Sequence, residues 1–212
     1  MKKLLFPLIA LIAFASCKNE DKESESSPTP DNPGIYYIAG TVNDKDYEFR
    51  EGVSSREVVD NVDMEDLGGG AYEAEYTCGI YKFTSPYPYM QLWVTQETNT
   101  TNDAANLATM FEIGTDTIGE ENSNGVTWNF LYQKNANDFY LVNSTYPKIN
   151  ITEVTDLGNI TVNSAFSGID NTTRRVIQVS GNIEPCTITD FSNPLPLDTA
   201  HFTIRFVSNQ TF

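Results

Sequence analysis

The chain has 212 residues, with 29 acidic and 13 basic side chains and a formal net charge of −16. So negative a surface repels phosphate backbones, which argues against nucleic acid as a partner and against attachment to an anionic membrane through basic patches. Three cysteines and one histidine, with no paired C-x-x-C spacing, exclude a zinc site, and no cofactor motif is present.

The chain opens with Lys2 and Lys3, an apolar run from Leu4 to Ala13 broken by Pro7, and then Phe14-Ala15-Ser16-Cys17. A bilayer span takes about 20 apolar residues. This run is shorter, and hydrophilic residues (Lys18-Asn19-Glu20-Asp21) follow the cysteine, so it reads as an export signal. Phe14-Ala15-Ser16-Cys17 resembles the lipobox of bacterial lipoproteins, with Phe14 where an aliphatic residue is usual. Residues 1–16 are therefore expected to be a lipoprotein signal peptide, and Cys17 the first mature residue, carrying a diacylglyceryl thioether and an acylated amine. The bland alternative is ordinary secretory cleavage near a cysteine. Each buried methylene of an acyl chain adds about 0.8 kcal/mol of membrane affinity, so several chains make a lasting anchor. Loss of Lys2 and Lys3 with the leader would leave a net charge near −18. Residues 17–33, rich in Ser, Glu, Pro and Asp, are expected as the lipidated cysteine and a disordered acidic tether. Residues 34–212 are enough for one sizeable core.

Period-two alternation dominates that domain. Ile35 to Val42 and Tyr47 to Arg50 flank a hairpin turn at Asn43-Asp44-Lys45-Asp46. A Gly-rich loop at Asp66 to Gly70 precedes a strand from Ala71 to Phe83, and Ser85-Pro86-Tyr87-Pro88 breaks it before Tyr89 to Gln96. Asn102 or Asp103 caps a short helix in which Ala104, Leu107, Ala108 and Phe111 fall at helical spacing, closing one end of the sheets. Trp128, Phe130 and Tyr132 alternate with polar partners as core. Strands follow at Phe139 to Asn143, Ile149 to Val154 and, after a turn at Asp156-Leu157-Gly158-Asn159, Ile160 to Phe166. Arg174 to Glu184, Cys186 to Phe191 and His201 to Val207 complete the set. About ten short strands with one helix predict an all-β, single antiparallel β-sandwich.

Candidate chemistry is sparse. His201 shares a strand face with Thr203 and Arg205, opposite apolar neighbours, so it is expected to face solvent. With no G-x-S-x-G elbow, a Ser-His-Asp triad has no serine, and the chain is expected not to be an enzyme. Glu73 and Glu75 lie on one strand face, where a carboxylate-dependent glycan hydrolase is the sharper reading and a solvated sheet surface the plainer one. Asn43 to Asp46 and Asp63 to Asp66 offer hard oxygens without the spacing of a calcium loop, and are expected as turns and loops. Export would permit a disulfide between Cys78 and Cys186, although Cys78 lies on the apolar face of its strand. Tyr89, Gln91, Trp93 and Thr95 share one face of their strand, opposite Met90, Leu92 and Val94. That face is either a sugar-stacking platform, extended by Tyr87, or the second buried face of a central strand.

Three stretches resemble a group of Bacteroidota (flavobacterial-type) surface lipoproteins. Ala39-Gly40-Thr41-Val42-Asn43 with Tyr47-Glu48-Phe49 is similar to their first hairpin, with Asp44 in place of the turn glycine. Ile149-Asn150-Ile151-Thr152-Glu153-Val154 through Ala165-Phe166-Ser167-Gly168 resembles a middle strand pair. Val179-Ser180-Gly181-Asn182 to His201-Phe202-Thr203-Ile204-Arg205-Phe206 resembles the closing strands, with His201 where glycine is usual. The resemblance implies a β-sandwich at the outer membrane and brings no catalytic motif. The acidic run after Cys17 resembles the surface-export signal of such lipoproteins. Asp116-Thr117-Ile118 and Asp198-Thr199-Ala200 resemble their Asp-Thr-apolar O-glycosylation motif, which makes Thr117 and Thr199 candidate acceptors. The expected function is a lipid-anchored binding module for a glycan or an outer-membrane partner protein, with Tyr87, Tyr89 and Trp93 as candidate ligand contacts. The alternatives are an accessory subunit of an outer-membrane complex and the hydrolase.

Overall fold

Among the described residues the alternation becomes thirteen antiparallel strands and one short helix. In chain order these are β1 (Tyr37–Val42), β2 (Lys45–Arg50), β3 (Arg56–Gly68), β4 (Ala71–Lys82), β5 (Tyr89–Thr98), α1 (Asp103–Leu107), β6 (Gly114–Thr117), β7 (Val126–Gln133), β8 (Phe139–Val142), β9 (Lys148–Ser164), β10 (Ile169–Ile183), β11 (Cys186–Asp190), β12 (Asn193–Leu197) and β13 (Ala200–Thr211). This computed structural model describes residues 36–212 apart from 55, 83, 85, 143–145, 165–168 and 191–192. The leader, Cys17 and the tether lie outside the described residues, as does Ala165-Phe166-Ser167-Gly168.

All the strands belong to one open sheet in the order β3-β4-β5-β7-β8-β11-β12-β1-β13-β10-β9-β6, with β2 paired to β1. The all-β antiparallel class is as expected, but the strands exceed ten and form one sheet rather than two. The sheet turns back on itself. Strand β13 packs against β3 and β4, although these lie far from it in the hydrogen-bonding order. Trp128 of β7 meets Phe202 and Phe206 of β13 with ring centroids 6.4 and 5.9 Å apart. The enclosed core includes Tyr76, Cys78, Ile80, Met90, Leu92, Val94, Trp128, Phe130 and Tyr132, all buried, as their alternation requires.

Local chemistry explains where the elements depart from expectation. Asn43 and Asp44 both take positive φ (50° and 61°), the geometry of a two-residue hairpin whose turn matches strand twist. Asp63 to Asp66 is strand, not loop: it lies inside β3, paired with β4 from Asp63↔Glu75 to Asp66↔Tyr72. Asp156 to Asn159 is not a hairpin. It bulges one long strand, β9, whose register with β10 shifts between Asp156↔Ile177 and Gly158↔Val176. Gly158 takes φ 71°, and its N–H donates to Asp156 Oδ1 at 2.8 Å. Strand β12 tolerates two prolines because the Pro196 carbonyl accepts the Asn43 N–H (2.9 Å) on the β1 side. A residue's N–H points the same way as its C=O, so the group proline lacks faces the side where β12 pairs β1 only at Leu197. The helix spans only Asp103–Leu107 and Asn102 makes no side-chain cap. Ala104 and Leu107 are buried and Ala108 is exposed. Asp103 is itself buried and accepts the backbone N–H groups of Asn209 and Gln210, tying the helix to β13.

The face of His201, Thr203 and Arg205 divides. His201 is exposed, whereas Thr203 and Arg205 are buried. Arg205 Nε donates to Asp60 Oδ2 of β3 at 2.7 Å, and its guanidinium lies 5.1 Å from the Tyr36 ring centroid. Burial pushes the Asp60 carboxyl up, against the pull of Arg205. Burial also raises Glu51 and Glu75. Between the ordinary carboxylate range and these raised values, the native state holds protons that the unfolded chain has released. Stability therefore falls as pH rises through that window. Self-repulsion among 29 acidic residues adds in the same direction. Thermal melts between pH 5 and pH 8 are expected to give the higher midpoint at the acidic end; a midpoint that climbs toward pH 8 would contradict this linkage.

Candidate functional site

Strand β5 lies inside the sheet, between β4 and β7. Its odd-numbered residues face away from the core while Met90, Leu92 and Val94 point in. Thr77, Trp93 and Asn129 form one row across the three strands. Gly79, Gln91, Leu131 and Leu141 form the next, and Tyr89, Gln133 and Phe139 the row beyond. Because the strands are locked by cross-strand hydrogen bonds and a packed core beneath, these side chains stand on a rigid base.

Aromatic rings dominate one end of this face. Tyr81 and Tyr89 meet edge to face at 4.4 Å, and Tyr87 stacks on Tyr89 at 5.8 Å with planes 24° apart. Glycine at 79 gives Tyr81 room to fold back over the strand: a Cβ there would sit 2.8 Å from Tyr81 Cζ. The hydroxyl of Tyr81 donates to Gln91 Oε1 at 2.5 Å, and that of Tyr89 donates to Gln133 Oε1. Each amide is thus held by its oxygen, and the Gln133 nitrogen donates to Asn135 O at 3.1 Å. Tyr81, Tyr87, Tyr89, Gln91 and Trp93 are half-buried, and Phe139 is exposed. The second face of β5 is therefore neither open to solvent throughout nor a second core. It is a partly covered aromatic and amide surface. Burial raises the Tyr81 and Tyr89 phenols, keeping both neutral and able to donate.

Carboxylates occupy the other end. Glu73 faces Glu65 and Glu97, and Glu75 faces Asp63 and Thr95. Thr77 Oγ1 donates to Glu75 Oε1 at 3.3 Å. Glu73 and Glu75 are half-buried on this sheet face.

The other candidates fall elsewhere. Cys78 and Cys186 are free thiols, so the bridge that export would permit is not formed; burial pushes Cys78 up to about 12 and Cys186 up to about 11. Thr117 is half-buried in β6 and its hydroxyl accepts from Lys148 Nζ at 2.6 Å. Its neighbour Asp116 accepts from Trp128 Nε1 at 3.0 Å and Asn122 Nδ2 at 2.9 Å, which gives that aspartate a structural role. Thr199 is half-buried just before β13. No group of three or more His, Cys, Asp or Glu side chains able to hold a metal occurs among the described residues. No described helix is long and apolar enough to cross a membrane. The sequence reading missed Tyr81, Leu131 and Phe139 as parts of the aromatic surface. The strand phase of Tyr81, opposite to that of Tyr76 and Cys78, was the available signal. The chain matches no family model, and no curated protein or solved structure resembles it significantly.

Proposed function

We propose that this chain is a surface lipoprotein, held to the outer membrane through Cys17, whose β-domain is a non-enzymatic module that binds a glycan on the outward face of β4, β5 and β7. The observation that carries the reading is the cluster of Tyr81, Tyr87 and Tyr89 on a rigid sheet, with the Gln91 amide beside it and Trp93 two residues farther along the same face of β5. A sugar ring offers an apolar C–H face to an aromatic ring and hydroxyls to neighbouring amides, so this combination suits it. Rings fixed by Tyr81–Gln91 and Tyr89–Gln133 bonds lose little freedom on binding. A partner protein is the second reading, favoured by Phe139 with Leu131 and Leu141 beside the rings. Glycan-array screening of the full chain in detergent tests the first reading. Hits are expected that weaken roughly tenfold or more in Trp93→Ala and Tyr89→Ala proteins; an empty array, or hits indifferent to both changes, would reject it.

The anchor rests on the Lys2-Lys3, apolar run and Cys17 pattern. Mass spectrometry of the native product is expected to find an amino terminus at Cys17 bearing diacylglycerol. An unmodified terminus at another residue would remove the anchor from the account.

A further inference from the structure

On that glycan-binding reading, we infer that the preferred ligand is cationic, an oligosaccharide of free amino sugars, held by aromatic stacking at Trp93 with its ammonium groups against the Glu73 and Glu75 end of the same face. Two features of the face lead there. The first is its charge. Its outward positions carry Glu57, Asp63, Glu65, Glu73, Glu75 and Glu97, and no Lys, Arg or His among the described residues of β3, β4, β5, β7 and β8. Anionic glycans such as polyuronates would be repelled. The second is the register. Glu65, Glu73 and Glu97 lie directly opposite one another across three strands, as do Asp63 and Glu75 across two. Like charges facing across strands destabilise a sheet. The ion pairs Arg50–Glu48, Arg175–Asp156 and Arg205–Asp60 include none of these side chains, so among the described residues no paired cation relieves them. An external cation would.

The acids and the rings are also within one ligand's reach. Trp93 pairs with Thr77, and Glu75 lies two residues along β4 from Thr77, roughly 7 Å by strand rise. A sugar stacked on Trp93 would set its next residue over Glu75. A neutral sugar would gain hydrogen bonds there, whereas an ammonium group would gain charge-assisted ones.

Titration of the full chain with a glucosamine hexamer, its fully N-acetylated counterpart, a glucose hexamer and tetralysine tests this. The glucosamine hexamer is expected to bind roughly tenfold tighter than the two neutral oligomers. That advantage should vanish in a Glu73→Gln/Glu75→Gln protein and shrink in high salt. Trp93→Ala should weaken all three sugars. Equal affinity for neutral and amino sugars would overturn the inference and leave the glycan reading standing. Binding of none of the sugars would overturn both. Tetralysine binding as tightly as the hexamer, and unaffected by Trp93→Ala, would overturn the inference in favour of a basic peptide.

Discussion

An Asp60→Ala protein is expected to lose about 3–5 kcal/mol of stability in urea, because the change leaves the Arg205 guanidinium buried without its carboxylate. Asp60 is 2% exposed and Arg205 9%, and their contact joins β3 to β13 across the turned-back sheet. Only 11% of the Arg205 side chain is open to solvent, so water offsets little of the stranded charge. Most of the loss is the penalty of the orphan, not the worth of the pair. An Asp60→Leu/Arg205→Met double variant should therefore recover much of the stability that either single change removes. A double-variant loss equal to the sum of the two single losses would mean the side chains act independently.

Trp128→Ala is expected to cost a similar amount, about 3–5 kcal/mol, through cavity formation. The indole is 1% exposed. It lies 5.5 Å from the Phe111 ring, in addition to Phe202 and Phe206 on β13. Its Nε1 also donates to Asp116, so Trp128→Phe should keep most of the packing yet lose about 0.5–1.5 kcal/mol with that hydrogen bond. Urea unfolding of the two variants checks the ordering. A Phe variant as unstable as the Ala variant would place the weight on Asp116 and not on the rings.

Fold class was legible because alternation is a local property. The phases of Met90, Leu92 and Val94, and of Trp128, Phe130 and Tyr132, give their buried faces directly. Strand β3 was not legible because its sequence carries Asp60, Asp63, Glu65 and Asp66, residues depleted in strands. Its pairing comes from β4, and the burial of Asp60 from Arg205, 145 positions away along the chain. Strand β12 hid behind two prolines whose tolerance depends on which neighbour they face. At Asp156 to Gly158 turn chemistry was present, but a continuous partner strand made it a bulge. One sheet in place of two is a matter of strand order, on which alternation is silent. Of the site, the residues on β5 could be read from phase alone. The neighbours Tyr81 and Gln133 needed the register, since each is brought to β5 by cross-strand pairing and not by sequence proximity.

Tryptophan emission gives the most direct test of the aromatic face as the binding surface, because the chain has two tryptophans and only Trp93 is partly open to solvent. Titrating a glycan hit into the native protein is expected to shift or quench the emission saturably, and a Trp93→Phe protein, which reports only buried Trp128, should give a flat trace. A saturable change that persists after Trp93→Phe, or tight binding that leaves native emission untouched, would mean the ligand sits elsewhere.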